Sequence, residues 1–198
     1  MIEFNEIKKI VEALIFASDN PITENRIKDI INELDSTQIN EIITELNTEY
    51  DQNEHAFKIV QLAGGFQFIT RSKYANYIKQ YYKGRAKSKL SRAGLETLAI
   101  IAFKQPISRP EIDSIRGVNS DGVIRNLLER NLIYISGRSK AVGRALLYNT
   151  TPEFLQYFGI NDISDLPKPK EIEELLGSGQ EEFPFSSDES RMTNNEIE

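Results

Sequence analysis

Apolar positions along this chain follow a helical period, then an alternating one, and the succession occurs twice. Ile7, Ile10, Val11, Leu14 and Ile15 fall at i, i+3, i+4, i+7 and i+8, which puts them on one face of a helix over 4–17. Asp19-Asn20-Pro21 breaks it. Thr23 suits the N-cap of a second helix with Ile27, Ile30 and Ile31 inward. Ser36 or Thr37 opens a third, with Ile39, Ile42, Ile43 and Leu46 inward. After His55 the period becomes two: Phe57, Ile59 and Gln61 alternate with Lys58, Val60 and Leu62. Gly64-Gly65 then predicts a hairpin turn, and Phe66 to Thr70 returns as the second strand. Tyr74 to Tyr82 reads as another helix.

The second half repeats the plan. Ser91 to Phe103 predicts a helix with Leu95, Leu98, Ala99 and Ala102 inward, and Pro106 ends it. Ser108 precedes Arg109-Pro110, a start at which proline's missing N–H is harmless. Ile112 and Ile115 are expected inside, and Gly117 fits the left-handed position that closes a helix. Ser120 is read as the cap of the next helix, with Ile124, Leu127 and Leu128 inward. Leu132 to Ser136 and Ala145 to Asn149 read as strands around a basic loop, Gly137 to Arg144. Thr151-Pro152-Glu153 opens a last helix carrying Phe154, Leu155 and Phe158, ended by Gly159.

A shift of 85 residues lays Pro21-Ile22-Thr23 on Pro106-Ile107-Ser108. It also lays Ile27 and Ile30 on Ile112 and Ile115, Ile39, Ile42 and Ile43 on Ile124, Leu127 and Leu128, and Ala17 on Ala102. Matching breakers and core positions at one offset indicate a duplicated unit. Three helices followed by a β-hairpin make a winged helix. The expected fold is therefore mainly α with small β-hairpins (α+β), as two tandem winged-helix domains at 1–83 and 84–160. An acidic, largely disordered tail is expected at 161–198.

Charge changes the picture more than length does. The 198 residues carry a formal net charge of −6, yet residues 83–150 hold 13 Lys and Arg against 5 Asp and Glu, a basic middle inside an acidic chain. No cysteine and one histidine, His55, remove disulfides, thiolate metal sites and multi-histidine zinc sites from consideration. No apolar run approaches the roughly 18 residues of a membrane span, so a soluble cytoplasmic protein is expected. There is no phosphate-cradling G-x-x-x-x-G-K-[ST], no G-x-S-x-G elbow and no histidine-pair helix. Asp29, Glu33, Glu41, Glu45 and Glu49 read as solvated helix faces. A binding protein without cofactor or metal is favoured over an enzyme.

What it binds has two readings. Lys83, Arg85, Lys87, Lys89 and Arg92 before the second domain, and Arg138, Lys140 and Arg144 on its wing, could neutralise phosphates. A solvated linker explains the first group equally well. The helix from Asp121 presents Asp121, Arg125, Asn126, Glu129 and Arg130 outward, and only Arg125 and Asn126 suit base edges. The first domain, with Glu41, Glu45 and Glu49 on its third helix, would repel DNA. Tyr74, Tyr77, Ile78, Tyr81 and Tyr82 line two sides of one helix, one suited to a core and one to a subunit contact. Phe183-Pro184-Phe185 in the tail has the look of a docking motif, although stray aromatics in a disordered tail are the simpler reading.

The stretch LSRAGLETLAIIAFKQPISRPEIDSIRGVNSDGVIRNLLERNLIYISGRSKAVGRALLYNTTPEFLQYFGI, Leu90 to Ile160, closely resembles the segregation and condensation protein B family. The resemblance rests on LETLAIIA-x-KQPI-x-R, the IRGVNSDGV turn, LLER-x-LI, the GR-x(4)-GR wing and TT-x-x-FL-x-x-FG, and extends more loosely over Ile7 to Thr70. Two positions depart from the family pattern: Ala145 in place of proline after the wing, and Asn149 in place of glycine. The resemblance implies a non-catalytic accessory subunit that forms homodimers chiefly through its first domain. It also implies binding to the kleisin, segregation and condensation protein A, and through it to an ATPase of the structural-maintenance-of-chromosomes (SMC) type. The candidate dimer contacts are Tyr74, Tyr77 and Tyr81. The candidate kleisin contacts are Arg125, Glu129, Tyr134, Arg138, Arg144 and Tyr148, chosen as polar or aromatic and outward. Arg116, Gly117, Val118 and Asn119 are expected to shape the turn, and DNA contact to be weak and nonspecific. The alternative reading is a winged-helix DNA-binding transcriptional regulator using the basic second domain.

Overall fold

The computed structural model describes residues 3–83 and 89–167. The expectations for Arg85 and Lys87, for the acidic stretch Glu171 to Leu176 and for Phe183-Pro184-Phe185 lie outside the described residues. The chain divides into two compact units, one of residues 1–85 joined by the described residues 164–167, the other of residues 86–163. Among the described residues, no helix is long and apolar enough to cross a membrane.

The first unit runs α1 (Phe4–Ala17), α2 (Glu24–Ile30), α3 (Ser36–Gln52), β1 (Phe57–Leu62), β2 (Gly65–Thr70) and α4 (Ala75–Tyr81), with a 3-10 turn at Ser72–Tyr74. Val11, Ile27, Ile39 and Ile42 are fully buried, each stabilising the unit by about 1.5–3 kcal/mol. Thr23 caps α2 by accepting the Arg26 amide. The cap of α3 is Asp35, one residue earlier than expected. Its carboxylate takes the Gln38 amide while the Gln38 side chain takes the Asp35 amide, a reciprocal box that a serine at 36 does not make. The hairpin turns at Ala63-Gly64, both at positive φ (49° and 76°), so the glycine pair straddles the turn and β2 begins at Gly65. Between α1 and α2, Ile22 forms a single antiparallel bridge to Phe66, with amide–carbonyl bonds of 3.0 and 2.9 Å.

The second unit runs α5 (Arg92–Lys104), β3 (Ile107–Ser108), α6 (Arg109–Arg116), α7 (Asp121–Glu129), β4 (Ile133–Arg138), β5 (Leu146–Thr150) and α8 (Pro152–Phe158); a 3-10 turn at Ile163–Asp165 begins where it ends. Its sheet has the order β3-β5-β4, all antiparallel, so β5 is central. Ser108 and Glu111 form a capping box at the start of α6, Gly117 ends that helix at φ 71°, and Thr151 and Gly159 bound α8. Each unit is a winged helix: a helix, an extended segment (a lone bridge in the first unit, β3 in the second), a helix-turn-helix and a two-stranded wing.

The duplication is visible in the core. Ile22, in a lone bridge, and Ile107, in β3, are both buried, and Ile27 with Ile112, Ile39 with Ile124, and Ile42 with Leu127 are buried in pairs. Four inward assignments, Ile30, Ile115, Leu95 and Ala99, and one overlaid pair, Ala17 on Ala102, are corrected. Ile30 and Ile115, which correspond to each other, are 46% and 55% exposed, because α2 and α6 are too short to bury a second row. Ala17 is exposed while Ala102 is buried, since the first helices match one residue further along, Val11 and Ile15 on Thr97 and Ile101. Leu95 and Ala99 lie on the surface, with Thr97 and Ile101 inward in their stead, while Leu98 and Ala102 are buried as expected. Apolar residues surround nearly all of α5, so periodicity gave no unique face. Thr97 goes inside because its hydroxyl donates to the Ala93 carbonyl of its own helix at 2.8 Å.

Two consequences can be measured. A Cβ on Gly65 would stand 2.8 Å from the Ile22 carbonyl carbon and oxygen and from the Pro21 carbonyl carbon, all backbone. Gly65→Ala is expected to destabilise the first unit by about 1–3 kcal/mol in urea denaturation; an unchanged midpoint would show that the bridge yields freely. The Glu111 carboxyl is held below its usual range by the Ser108 hydroxyl and then the Ser108 amide. Its depressed folded value means the cap contributes fully above the unfolded carboxylate range and is lost as pH falls through the folded value. Glu111→Gln should therefore reduce the acid-side slope of stability of the second unit, read by denaturation between about pH 3 and 6.

Candidate partner-binding surfaces

The turn between α6 and α7 is built from its own side chains. The Ser120 amide donates to Asp113 Oδ1 at 2.7 Å, and the Asp121 amide to Asn119 Oδ1 at 2.9 Å. Ser120 stands at the N-cap position, yet its hydroxyl makes no cap bond: it accepts from Arg116 Nη1 at 3.1 Å instead. Arg116 Nη2 reaches Glu96 Oε2 at 3.3 Å, and the Arg116 side chain is only 6% exposed. A buried guanidinium thus ties α5 to the turn, with Arg116 Nε left without a partner. Arg116, Gly117 and Asn119 do shape the turn, whereas Val118 is 56% exposed.

The outward face of α7 is internally neutralised. Asp121 receives Arg109 Nη1 at 2.7 Å on one oxygen and Arg125 Nη2 at 3.1 Å on the other. Asn126 Oδ1 accepts from Arg130 Nε at 3.0 Å. The two side chains suited to reading bases are therefore both engaged within the protein. Such exposed pairs are worth only about 0.2–1 kcal/mol, so they orient the side chains without locking them.

Of the remaining candidates, Glu129, Tyr134, Arg138 and Arg144 are exposed. Tyr148 is not: it is 6% exposed, in the middle of the central strand, paired to Ile107 on one side and Ile135 on the other. Burial raises its hydroxyl pKa. It belongs to the core, and its expected place on the surface is corrected. At the wing, a bulge between Ile135 and Gly137 lets the Ser136 hydroxyl donate to Asn149 Oδ1 at 2.6 Å, so the residue standing in place of glycine fastens the irregular strand. The Ala145 carbonyl takes the Ser139 amide at 2.8 Å.

On the first unit, Tyr77 and Tyr81 are 73% and 72% exposed at i, i+4 spacing on α4, while Tyr74 is half-buried with Lys73 Nζ 5.0 Å from its ring centre. An open groove of about 490 Å³ lies between α1 and the wing, floored by Ala13, Phe16, Phe57 and Phe68 and rimmed by Lys9 and Glu12. Phe16 is 81% exposed there. The periodicity of α1 already placed Phe16 off the buried stripe, but only the folded hairpin makes it one wall of a groove. The second unit carries an apolar stripe too: Leu95, Ala99 and Phe103 run at i, i+4 and i+8 along α5. It was missed because Leu95 and Ala99 were assigned to the core. His55 sits among Tyr50 and Phe57, ring centres 5.6 and 5.0 Å away, a surface aromatic contact. Among the described residues no group of three or more His, Cys, Asp or Glu is placed to hold a metal ion.

Because Ser120 is fully buried and its amide depends on Asp113, Asp113→Ala should cost the second unit about 1–3 kcal/mol. Urea denaturation checks this, and an unchanged midpoint would mean that another acceptor serves the amide.

The family model described as Segregation and condensation complex subunit ScpB matches residues 9–169. Segregation and condensation protein B of Syntrophotalea carbinolica is 42% identical over 170 residues, covering 86% of this chain and 85% of that protein. The protein of the same name from Desulforamulus reducens is 43% identical over 176 residues, covering 89% and 94%. A solved dimer of the ScpB N-terminal domain complexed with ScpA peptide is 29% identical, covering 39% of this chain and 96% of that chain at a TM-score of 0.36. With the family model spanning most of its length, this chain belongs to the family of the segregation and condensation complex subunit ScpB.

Proposed function

We propose that this chain is a non-catalytic accessory subunit of the bacterial SMC–kleisin complex. It pairs with a second copy chiefly through its first unit, binds the kleisin, and supports chromosome condensation and segregation in the cytoplasm, at the nucleoid. Family membership over residues 9–169 carries the reading. ATP hydrolysis is the work of the SMC partner, to which the kleisin links this subunit.

The surfaces support a protein partner more than a DNA site. Arg125 and Asn126 are held by Asp121 and Arg130. Leu95, Phe103, Ile115 and Val118 are each more than 40% exposed on the second unit, an apolar content typical of surfaces that meet other proteins. Arg125, Glu129, Tyr134, Arg138 and Arg144 are the proposed kleisin contacts, and Tyr77 and Tyr81, with part of Tyr74, the proposed dimer contacts. Direct DNA contact is confined to salt-sensitive phosphate neutralisation by the wing.

Size-exclusion chromatography with light scattering, on the chain alone and with its cognate kleisin, tests the reading. A dimer that moves into a larger co-eluting complex is expected; a monomer that ignores the kleisin overturns it. Tyr77→Ala with Tyr81→Ala should shift the dimer toward monomer with unchanged circular dichroism, and an unaffected dimer would remove α4 from the interface. Arg138→Ala with Arg144→Ala should slow kleisin association several-fold at low salt, since rim charges act mainly on the on-rate.

A further inference from the structure

The two units close their sheet edges differently. In the first, Ile22 exchanges backbone bonds with Phe66 alone, on the side of β2 away from β1. Backbone groups alternate between the two edges of a strand. The N–H and C=O of Phe68 and the N–H of Thr70 therefore point to that same side, while Gln67 and Ile69 face β1. Beyond Phe66 nothing among the described residues pairs with this edge. The second unit has the same position filled. Thr150 stands two residues past Tyr148, as Phe68 stands two past Phe66, and its amide donates to Gln105 Oε1 at 2.7 Å. Asn20, which the 85-residue offset lays on Gln105, is exposed and sends no hydrogen bond to β2. The outer edge of β1 is stopped as well: Asn47 Oδ1 accepts the Ile59 amide and its Nδ2 donates to the Ile59 carbonyl, both at 2.9 Å. Side-chain amides close two edges and leave this one open.

The open edge forms a wall of the groove beside Phe16. Phe68, Ile69 and Thr70 all line it, opposite Glu12, Ala13 and Phe16 of α1. Successive side chains point to opposite faces of a strand, so three consecutive lining residues put the strand's edge itself in the wall. Phe68 is half-buried and Thr70 exposed. The floor is apolar: the rings of Phe16 and Phe57 stand 6.1 and 5.4 Å from that of Phe68. The rim carries one charge of each sign, Lys9 and Glu12, so the groove asks no net charge of its occupant. What it asks for is a backbone. An unpaired N–H and C=O on a strand edge are complementary to another extended chain. A helix satisfies its own backbone and would leave them unmatched. An incoming strand turns the side chains level with Phe68 and Thr70 into the groove and the one between them away. Apolar residues two apart are what such a site selects.

We propose that the first unit binds an extended peptide segment of another protein, added as a strand to the edge of β2 along Phe68 and Thr70, with an apolar side chain against Phe16, Phe57 and Phe68. Gln105 denies the second unit the same use of its own sheet. The site involves no residue of α4 and none of the second-unit residues assigned to the kleisin, and it does not rest on that assignment.

Random peptides displayed on phage and selected on the full chain supply the probe. Enriched sequences are expected to carry apolar residues two apart and to lose binding to Phe16→Asp, a change at an exposed side chain. A synthetic peptide of the enriched sequence should slow hydrogen exchange of the Phe68 and Thr70 amides, which exchange fast in the free chain. Thr70→Pro removes an edge N–H that the β1 ladder does not use, a position where proline is tolerated. It should weaken that peptide by about tenfold, while Thr70→Val leaves the affinity unchanged. The same bonds can be removed from the ligand: N-methylating the peptide amides that face β2 should weaken binding to the unaltered chain as much, and N-methylating the intervening ones should not. Apolar residues spaced three and four apart, a peptide indifferent to N-methylation, or no enrichment that depends on Phe16 would overturn the proposal. So would Phe68 and Thr70 amides already protected in the free chain, since the edge would then belong to a second copy or to another part of this one.

Discussion

The extended segment between the first two helices of each unit, a lone bridge residue in the first and a two-residue strand in the second, is what the rest of the structure depends on. Ile22 bonds to Phe66 in one unit and Ile107 to Tyr148 in the other, and each is buried as it does so. Units of this size bury only a modest share of their surface, so a helix-turn-helix and a hairpin would each be marginal alone. The segment joins them through backbone bonds whose geometry is fixed. In the first unit it demands the missing side chain of Gly65. In the second it makes β5 central, and that centrality draws Tyr148 into the core.

Much of this was legible in the sequence, and the failures share a physical form. Breakers and caps were read correctly where one residue type has one use: Pro106, Gly117, Thr151 and Gly159 each stand where their backbone chemistry placed them. The faces of short or uniformly apolar helices were not. Ile30 and Ile115 look inward by period, but a two-turn helix offers its core only one or two positions. Leu95 and Ala99 were assigned inward on a helix that is apolar nearly all round, where period alone picks no face, and Thr97 is buried because its hydroxyl is bonded within its own helix. Tyr148 was misread for a related reason, since the order of strands in a sheet cannot be found from alternation within one strand. Ser120 was correctly placed and wrongly employed, for its usual acceptor role passed to Asp113 and Asn119.

The candidate surfaces reflect that division. Charged residues on α7 and the wing were identified from sequence because polarity alone puts them outside. The groove beside Phe16 and the α5 stripe needed coordinates, because apolar residues are exposed only when neighbouring elements fail to cover them. Together these surfaces offer apolar contact on both units and, on α7, charge that is largely compensated.

The carboxylate shared between Arg109 and Arg125 has a consequence for selectivity. A ligand approaching α7 with a carboxylate of its own meets arginines whose charge Asp121 already offsets. Each guanidinium gives Asp121 one hydrogen bond and has further N–H donors, so a second carboxylate can bind without opening the first pair, but it gains less Coulomb energy than it would at a bare arginine. Charge alone therefore discriminates weakly on this face, and shape and apolar fit weigh more.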